Sequence, residues 1–264
     1  MQRLSKTLSM LAFALVFMAG TAFAQNNNDA EQSQNGENLE ATITQVGNSN
    51  YANQDQSGSD NVLNIEQTGN NNFAEQTQTD RGLGSGVSNP NTGEIIQSGN
   101  GNVATQDQSR ESKFAGIDQS GNNNYASQLQ TGIASSANID QSGNDNVAEQ
   151  NQNLNAFSAD IDQSGNDNYA SQYQEGKRNE ASAIQSGSDN VALQEQYGEQ
   201  EFNEGAGRSV ITIDQFGNNN FAQQIQGQPT SISNVASIVQ GGHNNNAVQM
   251  QSGSGNNATI TQNN

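Results

Sequence analysis

Glutamine and asparagine amides are the side chains of this chain whose type and spacing could do chemistry. The pattern Gln-x-Gly-x-x-Asn-x-Ala-x-Gln-x-Gln is written nine times without a mismatch, from Gln45, Gln67, Gln97, Gln119, Gln141, Gln163, Gln185, Gln215 and Gln240, and a partial tenth unit reaches Gln262. An amide carries donors and an acceptor but no proton to exchange near neutral pH. Buried Gln and Asn columns could be read as an active site, but the structural reading is far better. Identical amides recurring along a chain are better suited to bonding one another, each to its copy ~4.8 Å above. Buried without such partners, each would cost on the order of 1–3 kcal/mol. Amide ladders are therefore expected along Gln45, Asn50, Gln54 and Gln56, along Gln141, Asn146, Gln150 and Gln152, and along Gln240, Asn245, Gln249 and Gln251.

Other candidate chemistry is sparse. Asp60, Asp145, Asp167 and Asp189 sit in turns and resemble the carboxylates of calcium-binding solenoids, but those require a Gly-Gly-x-Gly-x-Asp nonapeptide that is absent. Asp at a turn is ordinarily turn chemistry. His243 is the only histidine and there is no cysteine, so no Cys/His pair and no disulfide framework exists. There is no Ser/His/Asp set and no phosphate loop, and the carboxylate pairs belong to a repetitive, solvated acidic face. No enzyme activity, cofactor or metal is expected.

The elements that must position the amides follow from the period. Most units start 22 residues apart, and a period of this size means stacked structural units. In the unit at Gln141, Ile139 and Gln141 alternate with Asp140 and Ser142, the period of a strand. Gly143 to Asn146 is an arc, and Asn146, Ala148, Gln150 and Gln152 alternate with Val147, Glu149 and Asn151 in a second strand. We assign the recurrent set inward. An Ile two residues before the Gln (Ile43, Ile65, Ile95, Ile117, Ile139, Ile161, Ile213, Ile238 and Ile260, with Ala183 the exception) then forms an apolar core with the Ala of the second strand. The fold expected is all-β: a two-sheet β-solenoid of about ten 22-residue strand-arc-strand repeats. Three longer spacings, after Gln78, Gln196 and Gln226, all fall in the second arc, as do Pro90 and Pro229.

Outward residues just after each tight arc form a further column: Tyr51, Phe73, Val103, Tyr125, Val147, Tyr169, Val191 and Phe221. It reads either as cross-strand stabilisation of an outer face or as a lateral contact stripe.

Composition alone points toward disorder: 30% hydrophobic residues, mean hydropathy -0.84, net charge -19. The repeat overrides that, since ladders can supply order without an oily core. The charge makes nucleic acid an unfavourable partner. Residues 1–24 read as a secretory signal, with Arg3 and Lys6, an apolar run from Leu8 to Phe17 and Ala22-Phe23-Ala24 as cleavage site. That run is too short for a membrane span and no other segment qualifies. Residues 25–38 are expected to be a flexible polar leader and 39–264 the solenoid. Near both ends the second arc also becomes Gly-x-x-Asn (Gly58 to Asn61, Gly253 to Asn256), and no C-terminal cap is seen after Ile260 and Gln262. Uncapped strands are templates for another chain.

These residues resemble the curlin family, subunits of bacterial curli amyloid fibres. The family repeat Ser-x5-Gln-x-Gly-x-x-Asn-x-Ala-x3-Gln is matched by Ser135, Gln141, Gly143, Asn146, Ala148 and Gln152. Two departures stand out: the leading Ser is replaced by Asn61, Lys113, Phe157 or Asn179 in other units, and the units outnumber those of familiar major curlins. The resemblance implies export through an outer-membrane pore, accessory chaperones, a nucleator subunit, and self-assembly into extracellular fibres at the bacterial surface for biofilm matrix and adhesion. The alternatives from the residues alone are a monomeric secreted β-solenoid adhesin or a calcium-stabilised binding repeat.

Overall fold

The computed structural model describes residues 27–79, 90–110, 113–155, 157–198, 208–227 and 233–264. Residues 1–24, expected above to be a secretory signal, the first two residues of the expected leader (25–26) and Pro229 lie outside them. The strands are β1 (Asp29–Glu37), β2 (Glu40–Asn48), β3 (Tyr51–Ser59), β4 (Val62–Asn70), β5 (Phe73–Thr79), β6 (Thr92–Asn100), β7 (Val103–Ser109), β8 (Phe114–Asn122), β9 (Tyr125–Gln130) and β10 (Ser136–Asn144). They continue with β11 (Val147–Asn155), β12 (Ser158–Asn166), β13 (Tyr169–Lys177), β14 (Asn179–Ser188), β15 (Val191–Tyr197), β16 (Ser209–Asn218), β17 (Phe221–Gly227), β18 (Val235–His243), β19 (Asn246–Gln251) and β20 (Asn257–Asn263).

Odd-numbered strands form one ten-stranded sheet and even-numbered strands another, each strand pairing with the next but one. All pairs are parallel, the signature of a chain that winds between two facing sheets to make a β-solenoid. Identical residues stack: Ile139 on Ile161 and Gln141 on Gln163. Register survives the long spacings, with Gln67 opposite Gln97 and Gln185 opposite Gln215. The extra residues thus enter between β5 and β6, β15 and β16, and β17 and β18, always at the second arc.

The tight arc needs its glycine. Gly143 has φ 113°, and a Cβ there would run into the carbonyl of Gly165 on the next rung. Asp145, two residues on, holds φ 55° in the left-handed region, as do Asp60, Asp167 and Asp189 at 55–58°. Asp and Asn tolerate that region because their short polar side chains bond locally.

Between the sheets the Ile column (Ile65, Ile95, Ile117, Ile139, Ile161, Ile213 and Ile238, with Ala183) packs on the Ala column of the second strands as one buried cluster. Ile43 and Ile260, on the edge rungs, are only partly buried against it. A second inward column, unread from sequence, runs through Leu63, Gly93, Ala115, Ala137, Ala159, Ala181, Ile211 and Ala236. Its sizes compensate: a Cβ on Gly93 would lie 2.7 Å from Leu63 Cδ2.

The reading of residues 25–38 as a flexible leader is corrected over Asp29–Glu37. Asp29–Glu37 is a strand, in register on β3 with Gln32 opposite Gln54 and Gln34 opposite Gln56. The physical reason is visible in the chain. Asn28-x-Ala30-x-Gln32-x-Gln34 is the second half of the repeat unit, without the preceding Gln and Gly.

Candidate functional site: the amide ladders and their open ends

Three glutamine columns traverse the interior. The first runs from Gln45 to Gln262 through Gln141 and Gln240, with nine Nε2-to-Oε1 bonds of 2.8–2.9 Å. The second runs from Gln32 through Gln54 and Gln150 to Gln249 at 2.8–3.1 Å. The third runs from Gln34 through Gln56 and Gln152 to Gln251 at 2.6–3.2 Å. Gln141 and Gln152 are fully buried, and Gln249 and Gln251 nearly so.

The second amide hydrogen is also used. In the first column each Nε2 donates to a backbone carbonyl of the facing sheet at 2.9–3.1 Å, from Gln45 on Asp29 to Gln262 on Asn246. One side chain therefore bonds both along the stack and across it. Buried amides escape a desolvation cost only when both groups find partners, and in the interior rungs of this column they do.

The asparagine column, Asn28 through Asn50, Asn146 and Asn245, runs the other way. Each backbone N–H donates to the Oδ1 of the asparagine one rung earlier at 3.0–3.1 Å. Asn50 Nδ2 reaches forward to the carbonyl of Gly69 at 3.0 Å, and Asn146 Nδ2 to that of Gly165 at 2.9 Å. A further, solvent-facing asparagine ladder, Asn48, Asn70, Asn100, Asn122, Asn144 and Asn166, decorates the arc at 2.8–3.0 Å. Sequence reasoning missed it, although Asn directly after the arc glycine recurs often enough to show it. Exposed His243 stands in this column opposite Asn218.

The outer stripe lies where alternation puts it. Tyr51 stacks on Phe73 with ring centroids 5.0 Å apart and planes 12° apart. Tyr125 is 37% exposed, Phe221 is half-buried, and the Tyr169 hydroxyl donates to Glu149 at 3.0 Å. The other outer face is acidic. Asp118 and Asp162 flank Asp140, and each has its carboxyl raised above the usual range, chiefly by partial burial and then by neighbouring carboxylates: Asp140 and Glu94 for Asp118, Asp140 and Asp160 for Asp162. Among the described residues no group of three or more metal-ligating side chains comes together.

One buried cation stands out. Lys113 takes the Ser position of its unit and is 3% exposed. Its Nζ donates to the carbonyls of Ser109 and, at 2.7 Å, Gln130. Burial first, then Arg110, lowers its pKa to about 7, partly offset by Asp107. Sequence reasoning noted this residue only as a departure from the repeat.

At the two ends of the described stack each column lacks one side-chain neighbour, while Gln45, Gln251 and Gln262 keep their bonds to facing carbonyls. The buried Nε2 of Gln249 has no hydrogen-bond partner. Among the described residues none donates to Oε1 of Gln32, Gln34 or Gln45, and β1, β2, β19 and β20 each pair on one side only. Among the described residues no helix is long and apolar enough to cross a membrane.

Residues 165–198 match the sequence profile of the Curlin associated repeat. The matched segment spans the arc at Gly165, β13, β14 and β15. No curated protein matches the chain. The similarity to curlins thus meets the fold at one and a half of its repeats, and those repeats carry the same ladders as the rest.

Proposed function

We propose that this chain is a secreted structural subunit that polymerises end to end into extracellular, curli-like amyloid fibres of a biofilm matrix. One observation carries the reading: among the described residues each sheet has edge strands paired on one side, and the buried Gln249 Nε2 on β19 has no hydrogen-bond partner. Open parallel edges recruit further strands. The match to the Curlin associated repeat supports the same class of assembly. Its partners are then other copies of itself, together with the nucleator, secretion pore and chaperones of a curli-type system, and its place is the bacterial cell surface. The signal-like residues 1–24 support export.

The test uses the purified chain beginning at Gln25. It should form thioflavin-positive fibres within days at tens of micromolar, with a meridional spacing of about 4.7–4.8 Å. A chain that stays monomeric instead supports the adhesin reading. Fibres or folding that appear only with calcium support the calcium-stabilised repeat.

A further inference from the structure

The tight arc is built nine times, and one copy carries different chemistry. Eight arcs place Ser, Asn or Asp at the left-handed position, from Ser49 at φ 57° to Asn244 at φ 57°. The arc between β6 and β7 places Gly101 there, at φ 67°. Asn100 precedes it, so this arc alone of the nine contains an Asn-Gly pair. Glycine has no Cβ to crowd its own backbone nitrogen. That nitrogen can reach the side-chain carbonyl carbon of the asparagine before it and close a five-membered ring. Asn122–Asn123 and Asn144–Asp145 hold the same place in their arcs with a side chain in the way.

In the folded chain both reacting groups are held. Gly101 N–H donates to the Asn70 carbonyl at 3.0 Å. Asn70 Nδ2 donates to Asn100 Oδ1 at 2.8 Å, and Asn100 Nδ2 to Asn122 Oδ1 at 3.0 Å. Cyclisation strips the Gly101 nitrogen of its proton and turns the Asn100 amide to face it, which breaks these bonds. In the unfolded chain nothing opposes it.

We propose that Asn100–Gly101 is a self-modification site that folding closes, so that it marks chains which stay unfolded. Hydroxide takes the Gly101 amide proton, and the nitrogen bonds to Asn100 Cγ. The Cγ–Nδ2 bond breaks, and ammonia leaves with a proton returned from water. Water then opens the cyclic imide. Breaking the new Cγ–N bond gives aspartate. Breaking the bond from that nitrogen to the Asn100 backbone carbonyl carbon gives isoaspartate, whose main chain runs through Cβ and Cγ. Nothing is oxidised or reduced, and water is the only co-reactant. Folding alone closes the site, with or without polymerisation.

The two products differ in consequence. Aspartate keeps the acceptor for Asn70 and loses only the donor to Asn122, on an exposed ladder. Isoaspartate adds an atom to the main chain of an arc with no room for it: a Cβ on Gly99 would already run into the carbonyl of Gly121. It also displaces fully buried Asn102, whose backbone N–H donates to Asn72 Oδ1 and whose Nδ2 donates to the Gly121 carbonyl, both at 3.0 Å. β7 then leaves the register that turns Ala104, Gln106 and Gln108 inward.

The chain beginning at Gln25 is held at mildly alkaline pH, in denaturant and folded, and the products are located by peptide mapping. In denaturant Asn100 should convert as fast as Asn35, the other asparagine that precedes glycine, and several times faster than Asn122. Folding should slow Asn100 by about tenfold or more, because reaction then waits on local opening. Equal rates in the two conditions, or no lead over Asn122 in denaturant, overturn the site. A second arm uses Asn35→Ser chain, which leaves Asn100 as the only asparagine before glycine. It is aged in denaturant, and its aspartate and isoaspartate forms are separated and refolded. The isoaspartate form should be cut by protease between β6 and β7 and unfold at a lower denaturant midpoint, and the aspartate form should stay close to fresh chain. Adding Gly101→Asn, the residue type of Asn71 and Asn123, should abolish the ageing; the Cβ it introduces meets only the far end of the Asn123 side chain. Asn100→Ser, the type that Ser188 supplies in another rung, should do the same. An isoaspartate form that refolds with the midpoint of fresh chain overturns the mark.

Discussion

Asn146 Nδ2 lies 2.9 Å from the carbonyl oxygen of Gly165, so the side chain of one arc is bound to the backbone of the next. The same nitrogen reaches Asn124 Oδ1 at 3.1 Å. A fully buried amide thereby ties three rungs together. Asn146→Asp should be worse than Asn146→Ala, since a carboxylate oxygen would face the Gly165 carbonyl. We expect a loss of ~1–3 kcal/mol for Ala and more for Asp. Asn144→Ala, on the exposed arc ladder, should cost at most ~0.5 kcal/mol. Denaturant midpoints of the ordered chain check all three.

Gly143→Ala should be more damaging than any of these. It combines φ 113° with a Cβ lodged in the Gly165 carbonyl, so the rungs must part. Strain alone costs on the order of 1–3 kcal/mol. Ser142→Ala next to it should be close to neutral. The comparison is made by limited proteolysis: the Gly143 variant should be cut near its own rung, the Ser142 variant should not.

Ala183 interrupts the isoleucine column between Ile161 and Ile213, while Ile184 beside it is 39% exposed on the outer face. Ala183→Ile should fill the position that isoleucine holds in neighbouring rungs. The added apolar surface is worth ~1–2 kcal/mol, read as a higher denaturant midpoint. A fall in midpoint would mean that the sheets close around the alanine.

The acidic column sets a pH dependence. Asp118 and Asp162 have raised pKa values in the folded chain, so the ordered state binds protons that the unfolded chain has already released. Stability should therefore increase as pH falls toward about 4–5, near the ordinary carboxylate range. The triple variant Asp118→Asn, Asp140→Asn, Asp162→Asn should be more stable than the parent at pH 7 and should lose much of that dependence. Unfolding midpoints across the range decide it.

Lys113 acts in a separate window. Its pKa falls from 10.5 to about 7, so above pH 7 the ordered state sheds a proton that the unfolded chain keeps. Stability should climb between about pH 7 and 9, where the tyrosines with raised pKa values remain protonated. Lys113→Asn, the residue found at that position in the units of Asn61, Asn91 and Asn179, should remove the climb and be the more stable form below pH 7. An unchanged slope would show that Lys113 carries no such linkage.

Much of the fold was legible because every rung repeats the same physical problem. The spacing of Gln45, Asn50, Gln54 and Gln56 fixes strand, arc and facing, and the structure places all four on inward columns. Besides the second inward column, the outer asparagine ladder and the burial of Lys113, two features show why some of it was not legible. The strand at Asp29–Glu37 carries only half of the unit, so a search anchored on Gln-x-Gly passes over it although Ala30, Gln32 and Gln34 hold the inward positions. The direction of the amide bonds is the other. A glutamine reads alike in either orientation until the facing carbonyl, such as Asp29 for Gln45, is placed beside it.

The long arcs have one more consequence, for heredity. Register between β4 and β6 is kept across 30 residues as well as elsewhere across 22. A whole rung can therefore be duplicated or deleted with both sheets still matching, because the flanking rungs present the same columns to each other. Unequal recombination within the coding sequence would then change the copy number of rungs without breaking the protein. The length of the stack, and of a subunit in the proposed fibre, becomes a quantity that can drift in steps of ~4.8 Å, one rung at a time.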